Sequence, residues 1–496
     1  NKTNRGAIKA VVFLILLLIS IPAIKTGIAT SKTYIPNMTS TWYISLNKIR
    51  METSPNAILN SWWDFGHWFK YLADRRVTAD GASQNTPQAY WLGKILVENN
   101  ETRAVQILRM LDCGANKAFD IINSKYQNTV ISIEIINKLQ KMNKSEIKTY
   151  LQQQGFNNTA IKEVINYTKC NPPEDYFITS DDMIGKAGVW AHFGLWDFKK
   201  AEALNIAKKN GSQAIKYMEE KLGYSKVQAI NEYNKIISFQ GNSAKEQAWI
   251  SPWPGYASTR GRCTIANNEI ICLNTLQGQY TVKSVFNLSS READIIGSSG
   301  NIKPKEVVVY YNGYEFKRTY NDSQLNLAWV LFVNGDQVRS IYTSPELAES
   351  LFTKLYFGEG YGMKYFKLFS EEGPSPVGTR VQIWNVTWDK LRAKNGSRVS
   401  VLYIGYFKNG TVFDSSIINW KNKNITNSSD FKDYILDKPL TFTIGKNQVI
   451  PGFEKGVMGM EVGDEKLIEV PPKEGYKTGQ LAGKTLYFKV RVVKIE

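Results

Sequence analysis

The sequence predicts an α+β multidomain chain: one transmembrane helix, a mainly helical core, a β-rich peripheral module with a returning helix, and a C-terminal antiparallel sheet wrapped on a short helix. Three observations carry that reading. An uncharged apolar run, "AVVFLILLLISIPAI" from Ala10 to Ile24, stands near the start. From Ser54 to about Gly241 apolar residues recur three and four apart, as in "TPQAYWLGKILVEN" and "ETRAVQILRMLDCGANKAF", the period of helices with one buried face. From about Trp249 the texture turns to short β-branched and aromatic runs broken by Gly and Asn, such as "EVVVYYNGYEF" and "AWVLFV", which read as strands.

A spanning helix needs about 20 predominantly apolar residues. Extending the apolar run to residues 7–30 supplies them. Lys2, Arg5 and Lys9 put the amino end in the cytosol and the remainder on the extracellular side of the cell membrane, although Lys25 and Lys32 reduce the asymmetry. A secretory signal peptide is the competing reading. No small-x-small cleavage site follows Ile24 and the chain begins with Asn1 instead of Met, which suits the last membrane helix of a longer protein.

Residues 31–248 form the expected helical core and 249–369 the β-rich module, with "SPELAESLFTKLYF" from Ser344 to Phe357 as one returning helix. The acidic, Pro- and Gly-rich stretch "SEEGPSPVG" has no period, so 370–377 reads as a linker and 378–496 as a separate domain. The net charge of +17 is spread along the chain, with 19 Lys and Arg against 12 Asp and Glu after residue 378. No basic run interleaved with aromatics appears, so nucleic acid is not an expected partner; a membrane surface or an anionic, phosphate-bearing substrate is.

Two features suit an external location. Fourteen Asn-x-Ser/Thr triplets occur, Asn37, Asn100, Asn166, Asn287, Asn385, Asn409 and Asn427 among them. In "CTIANNEIIC" an Asn267-Asn268 turn pairs Ala266 with Glu269, and counting outward sets Cys263 opposite Cys272 at a non-hydrogen-bonded pair, about 4.5 Å apart between Cα atoms. A cross-strand disulfide follows. Nothing local positions Cys113 and Cys170, which leaves their pairing open.

The chemistry concentrates in "SWWDFGHWF", Ser61 to Phe69, in a segment that Ser54-Pro55 opens as a helix. Two indoles make an apolar wall with N–H donors, and Asp64 offers acceptors, a combination that suits a docked hydroxyl. Gly66 would let a ligand backbone approach. The competing reading is a structural Asp capping a helix beside core Trp residues. "WWDFG" resembles the "WWDYG" motif of the catalytic subunit of oligosaccharyltransferase, in its archaeal form, with Phe65 in place of Tyr. The resemblance extends over most of the span from Lys9 to about Phe369.

That resemblance implies that Trp62, Trp63 and Asp64 bind the Ser/Thr hydroxyl of an Asn-x-Ser/Thr acceptor. It also implies a second element in "SDDMIGKAGVWAHFGLWDF", where Met183, Lys186 and Trp190 would share one helix face; one family pattern sets Asp three residues before Lys, where Met183 stands here. Lipid-linked oligosaccharide of the dolichol phosphate type is the implied donor. Mn²⁺ or Mg²⁺ is the implied cofactor, held by a membrane half that precedes Asn1, so no metal ligand is expected in this chain. His67 and His192, the only histidines, read as structural.

In the C-terminal domain, strands flank Asn409-Gly410 within "VSVLYIGYFKNGTVFDSS", and a short helix starts at Pro451. "VFDSS", "GKNQVIPGFEKGVMGMEVGD" and "LAGKTLYF" together resemble an FKBP-type peptidyl-prolyl cis-trans isomerase, which acts on prolyl peptides and needs no cofactor. Its pocket carries over to Tyr403, Phe413, Asp414, Val449, Ile450, Phe453, Tyr476 and Phe488, with the Ile450 N–H and Tyr476 O–H as donors to the twisted amide. Phe453 replaces a common Trp and Leu440 a common wall aromatic. The loop after Tyr476 is short and lacks the flap of chaperone-type relatives. The competing class is a secreted or membrane-anchored FKBP-like chaperone or binding protein without a transferase role.

Overall fold

The computed structural model describes residues 2–33, 38–239, 241–276, 280–297, 300–373 and 379–496. Lys2–Thr33 is one helix. Its segment Ala10–Ser31, at mean hydropathy 2.4, is long and apolar enough to cross a membrane and is not buried among the described residues.

The core is not purely helical. A five-stranded mixed sheet runs Phe366–Glu372, Val381–Val386, Asp175–Ser180, Ile58–Asn60, Arg76–Val77. Ile58–Asn60 is parallel to both neighbours. Helical periodicity hid these strands for two reasons. Ile58–Asn60 is too short to show a period, and all six residues of Asp175–Ser180 are buried, which erases the alternation of a half-exposed strand. Ser54-Pro55 opens a turn into Ile58–Asn60, not a helix. One sheet face packs Tyr176, Ile178, Val381 and Ile383 against Trp42, Leu46 and Ile49 of the helix Ser40–Glu52. The other face packs Phe177 and Trp384 into the main helical core with Leu92, Ile95 and Leu108. A disulfide joins Cys113 to Cys170, tying the helix Glu101–Gly114 to the end of Asn158–Lys169.

The peripheral module is two sheets. An antiparallel meander runs from Gly261–Ala266 to Gly300–Ile302, and Cys263 faces Cys272 across its first hairpin, disulfide-bonded with a Cα separation of 4.1 Å. Asn267 and Asn268 both take positive φ there, the two-residue turn that sets the register. The second sheet orders Tyr314–Thr319, Glu306–Tyr311, Ala328–Asn334, Gln337–Thr343, Tyr256–Ser258. Its Val307, Val309, Trp329 and Leu331 pack on Phe286 and Ile295 of the meander, whereas Val308, Val330 and Ile341 on the opposite face join the helical core. The returning helix is two: Pro345–Ala348, then Leu351–Tyr356, which Ser350 caps by accepting the Thr353 N–H.

The expected linker is a correction. Ser370–Glu372 lie in a strand, residues 374–377 lie outside the described residues, and the chain returns as Val381–Val386 between Phe366–Glu372 and Asp175–Ser180. The boundary falls after Val386, not at 370–377. A Pro/Gly-rich stretch between two strands of one sheet has the composition of a linker, and only pairing tells them apart.

The last domain orders Val412–Ser415, Arg398–Tyr406, Leu486–Ile495 and Glu465–Val470, with Leu440–Thr443 beside Arg398–Val401, around the helix Pro451–Val457. Its outer face is covered too. Leu402, Ile404 and Val493 pack with Ile417 and Phe431 against Tyr314 and Tyr361 of the preceding module. The Gly362 N–H donates to the Val493 carbonyl at 3.0 Å.

Candidate functional site

Where Ile58–Asn60 ends, the Ser61 hydroxyl donates to the Ile178 carbonyl at 2.9 Å and fixes the turn. Trp63–Phe65 then makes one 3₁₀ turn. A Cβ on Gly66 would lie 2.3 Å from the Ala79 carbonyl, so this glycine admits the chain's own backbone and not a ligand's. Trp62 is buried against Phe193 and Trp63. The Trp63 Nε1–H is buried and has no hydrogen-bond partner among the described residues.

Asp64 faces a groove of about 590 Å³, whose lining includes Trp42, Phe65, Trp68, Asp181, Asp182 and Lys186. Lys186 is ion-paired to Asp64 and, at 3.1 Å, to Asp182, and its ammonium lies 4.7 Å from the Phe65 ring centre. Burial alone would lower the Lys186 pKa; the hydrogen bonds it donates to Asp64 and Asp182, with their charges, outweigh it and hold it raised. Burial also raises the Asp181 carboxyl, with the Asp182 charge adding to it.

Met183, Lys186 and Trp190 do not share one helix. Asp182–Gly185 and Ala187–Gly194 are separate helices that meet at Lys186. Met183 is buried, 3.7 Å from the Ser61 hydroxyl, and its carbonyl accepts the Trp190 Nε1–H at 2.8 Å. The groove wall is therefore Trp42, Phe65 and Trp68, with Trp62, Trp63 and Met183 behind it. Trp68 lay within the quoted motif; Trp42, on a helix upstream, carried no sequence signal.

His192 is buried, stacked on Trp253 at 3.8 Å, with its Nδ1 3.2 Å from the Ser251 carbonyl, and burial lowers its pKa. His67 is largely exposed beside Asp80.

The second constellation is aromatic. Phe453 meets Phe488 edge-on at 5.0 Å and Tyr403 at 5.9 Å, and Phe413 meets Phe488 at 5.7 Å. A Cβ on Gly405 would clash with both Phe413 and Phe488, so glycine makes room for the rings. The Tyr403 hydroxyl donates to Asp414 Oδ2 at 2.8 Å.

Residues 56–200 match the STT3/PglB/AglB core domain family, and residues 389–493 match FKBP-type peptidyl-prolyl cis-trans isomerase. The chain joins an STT3/PglB/AglB core domain to an FKBP-type isomerase domain. It is similar to the dolichyl-phosphooligosaccharide-protein glycotransferase of Methanocaldococcus jannaschii, at 27% identity over 74% of this chain and 36% of that protein. To the Methanococcus voltae protein of the same name it is 34% identical, over 40% of this chain and 22% of that one. FK506-binding protein 3 of Debaryomyces hansenii is 38% identical over 21% of each chain. The chain thus spans about a third or less of the glycotransferases it matches.

Within the FKBP-type domain, the match begins at residue 389, beyond the end of the core-sheet strand Val381–Val386. Val449, Ile450, Phe413 and Tyr403 pack against the cluster that holds Phe453 and Phe488. Ile450 precedes the helix Pro451–Val457, and its N–H donates to no acceptor among the described residues. Burial raises the Tyr403 phenol, reinforced by its bond to Asp414. Tyr476 is part-exposed, its phenol raised by burial and by the Asp414 charge.

Proposed function

We propose that this chain is the acceptor-recognising part of an oligosaccharyltransferase that moves a lipid-linked oligosaccharide of the dolichol phosphate type to Asn in Asn-x-Ser/Thr, with a fused, active prolyl isomerase. The observation that carries it is Asp64 at an open groove, bracketed by Lys186, within the core domain. The acceptor Ser/Thr hydroxyl donates to Asp64, with the Trp62 and Trp63 indoles supporting the groove wall from behind. Lys186 holds the carboxylate in place. The helix Lys2–Thr33 spans the cell membrane with its amino end in the cytosol and the remainder outside.

Mn²⁺ or Mg²⁺ would act as Lewis acid on the departing phosphate. Among the described residues no group of three or more His, Cys, Asp or Glu side chains could hold it. We propose that its ligands belong to the membrane half of the transferase.

The isomerase reading follows from its pocket. An X-Pro amide resists rotation by about 18–20 kcal/mol through its partial double bond. The twisted amide is less polar and sits better among Tyr403, Phe413, Phe453 and Phe488, while the Ile450 N–H bonds its carbonyl. Asp414 orients Tyr403 and moves no proton. The rival chaperone without a transferase role is disfavoured by the core-domain match over residues 56–200.

The test is photo-crosslinking of Asn-x-Thr and Asn-x-Val peptides to the purified chain. Preferential capture of Asn-x-Thr at the Asp64 groove, lost in Asp64→Ala, supports the reading. Equal capture of both peptides overturns it.

A further inference from the structure

A second pocket lies away from both constellations and shares no lining residue with either. It is a cavity of about 330 Å³ between the peripheral sheet, the loop after Leu351–Tyr356 and the start of the helix Glu101–Gly114. That volume is at the lower end of small-ligand sites, about 300–1,000 Å³.

Strand register explains its lining. Tyr310 pairs with Glu315 on one side and Phe332 on the other, and Phe332 pairs with Arg339, so one row across the sheet reads Glu315, Tyr310, Phe332, Arg339. Two residues along the strands, on the same face, Asn334 pairs with Gln337 and stands beside the turn residue Asn312. An aromatic and charged row therefore lies next to a row of three amides, and all of these residues line the cavity. The Tyr310 and Phe332 rings stack face to face at 5.0 Å.

Two features choose the ligand class. The charges at the cavity are already matched: Glu315 to Lys354 at 3.2 Å, Arg339 to Glu359 at 2.6 Å, and Glu101 to the N–H groups of Lys364 and Tyr365 at 2.9 and 2.7 Å. A phosphate or carboxylate would find no unpaired cation among these groups. The amides are less settled. Asn312 is 2% exposed, and neither its side-chain carbonyl nor its NH₂ has a partner among the described residues. A buried amide without partners is costly, and a ligand offering both a donor and an acceptor removes that cost.

We infer that this cavity binds a neutral sugar residue, its apolar ring face against Phe332 and Tyr310 and its hydroxyl or acetamido groups on Asn312, Asn334 and Gln337. Such a ligand is neutral, carries donors and acceptors on one edge and C–H groups on its faces, and needs a small turn of the Asn312 side chain to engage it. The inference does not depend on the acceptor reading of Asp64.

The test is saturation-transfer NMR on the full chain with three probes: N,N′-diacetylchitobiose, maltose and glucuronic acid. The expected result is transfer to at least one neutral disaccharide and none to glucuronic acid, with affinity falling fivefold or more in Asn312→Ala and in Gln337→Ala. Asn312 takes a positive φ that Ala adopts at a cost, so Asn312→Ala should unfold somewhat below the wild-type temperature, whereas Gln337 is exposed and Gln337→Ala should unfold at it. No transfer to either disaccharide, affinity unchanged in both variants, or displacement of the bound sugar by an Asn-x-Thr peptide would each overturn the assignment.

Discussion

Lys186 ion-pairs with Asp64 from the junction of two short helices, and the same ammonium holds Asp182. One cation thus keeps two carboxylates of the groove together. Groups that share a partner are not independent. Asp64→Ala and Lys186→Ala should each weaken acceptor-peptide binding, and the double variant should lose less than the sum, with a coupling of about 0.5–3 kcal/mol. Fluorescence anisotropy with a labelled Asn-x-Thr peptide measures it. Strict additivity would mean that Lys186 does not position Asp64.

The FKBP-type domain should move with the rest of the chain. The Tyr314 hydroxyl donates to Glu465 at 2.9 Å, the Arg491 guanidinium lies 4.0 Å from the Tyr314 ring centre, and the apolar outer face of the sheet is buried between them. NMR relaxation should give both parts one tumbling time. Tyr314→Ala with Arg491→Ala should loosen the domain and shorten its own correlation time. Separate tumbling in the unaltered chain would contradict the docking.

Asp437 should make stability fall as pH rises. It is fully buried with both carboxylate oxygens unpaired among the described residues, next to Ile435 and Leu436, which insert into the core of the peripheral module. Burial pushes its pKa up to about 8 from 3.8, with Lys423 only partly opposing. Between those values the folded state holds a proton that the unfolded chain has released, so stability is fullest below about pH 4 for this group. It declines by up to about 1.4 kcal/mol per unit until pH 8. Urea unfolding across that window should show the decline, and Asp437→Asn should flatten it. Parallel curves for the two proteins would rule the group out.

Tyr403→Phe deletes the hydroxyl that meets Asp414. A hydrogen bond to a carboxylate is worth about 1.5–3 kcal/mol, so isomerase activity on a short prolyl peptide should fall about tenfold or more. In the complete enzyme, Phe413→Ala with Asp414→Ala should slow glycosylation of proline-rich acceptors and spare proline-free peptides, because X-Pro bonds exchange over tens to hundreds of seconds unaided. An equal effect on both substrate classes would separate the isomerase from acceptor handling.

Peptide mapping without reduction should recover Cys113 joined to Cys170 and Cys263 joined to Cys272. Replacing Cys113 and Cys170 by Ser should cost about 2–5 kcal/mol, since that bridge closes a long loop. Alkylation of any of the four in protein kept from reductant would contradict these pairings.

Local features were legible in the sequence because neighbours in the chain determine them. A two-residue Asn267-Asn268 turn sets the hairpin register, and with it Cys263 opposite Cys272. A long apolar run makes a helix long enough to cross a membrane by its own composition, and the FKBP-type signature is contiguous enough to place Tyr403, Phe413 and Phe488 around one helix. What long-range pairing alone decides was not legible. Val381–Val386 belongs to the core sheet only because Asp175–Ser180 lies beside it, and the composition of residues 370–377 says nothing of that. Cys113 meets Cys170 because two helices pack. Trp42 reaches the Asp64 groove because its helix crosses the sheet face, whereas Trp62, with the more conspicuous motif position, turns into the core. Periodicity assigns a residue to a face of its own element; which surface that face then meets depends on contacts between segments far apart in sequence, and those exist only in the folded chain.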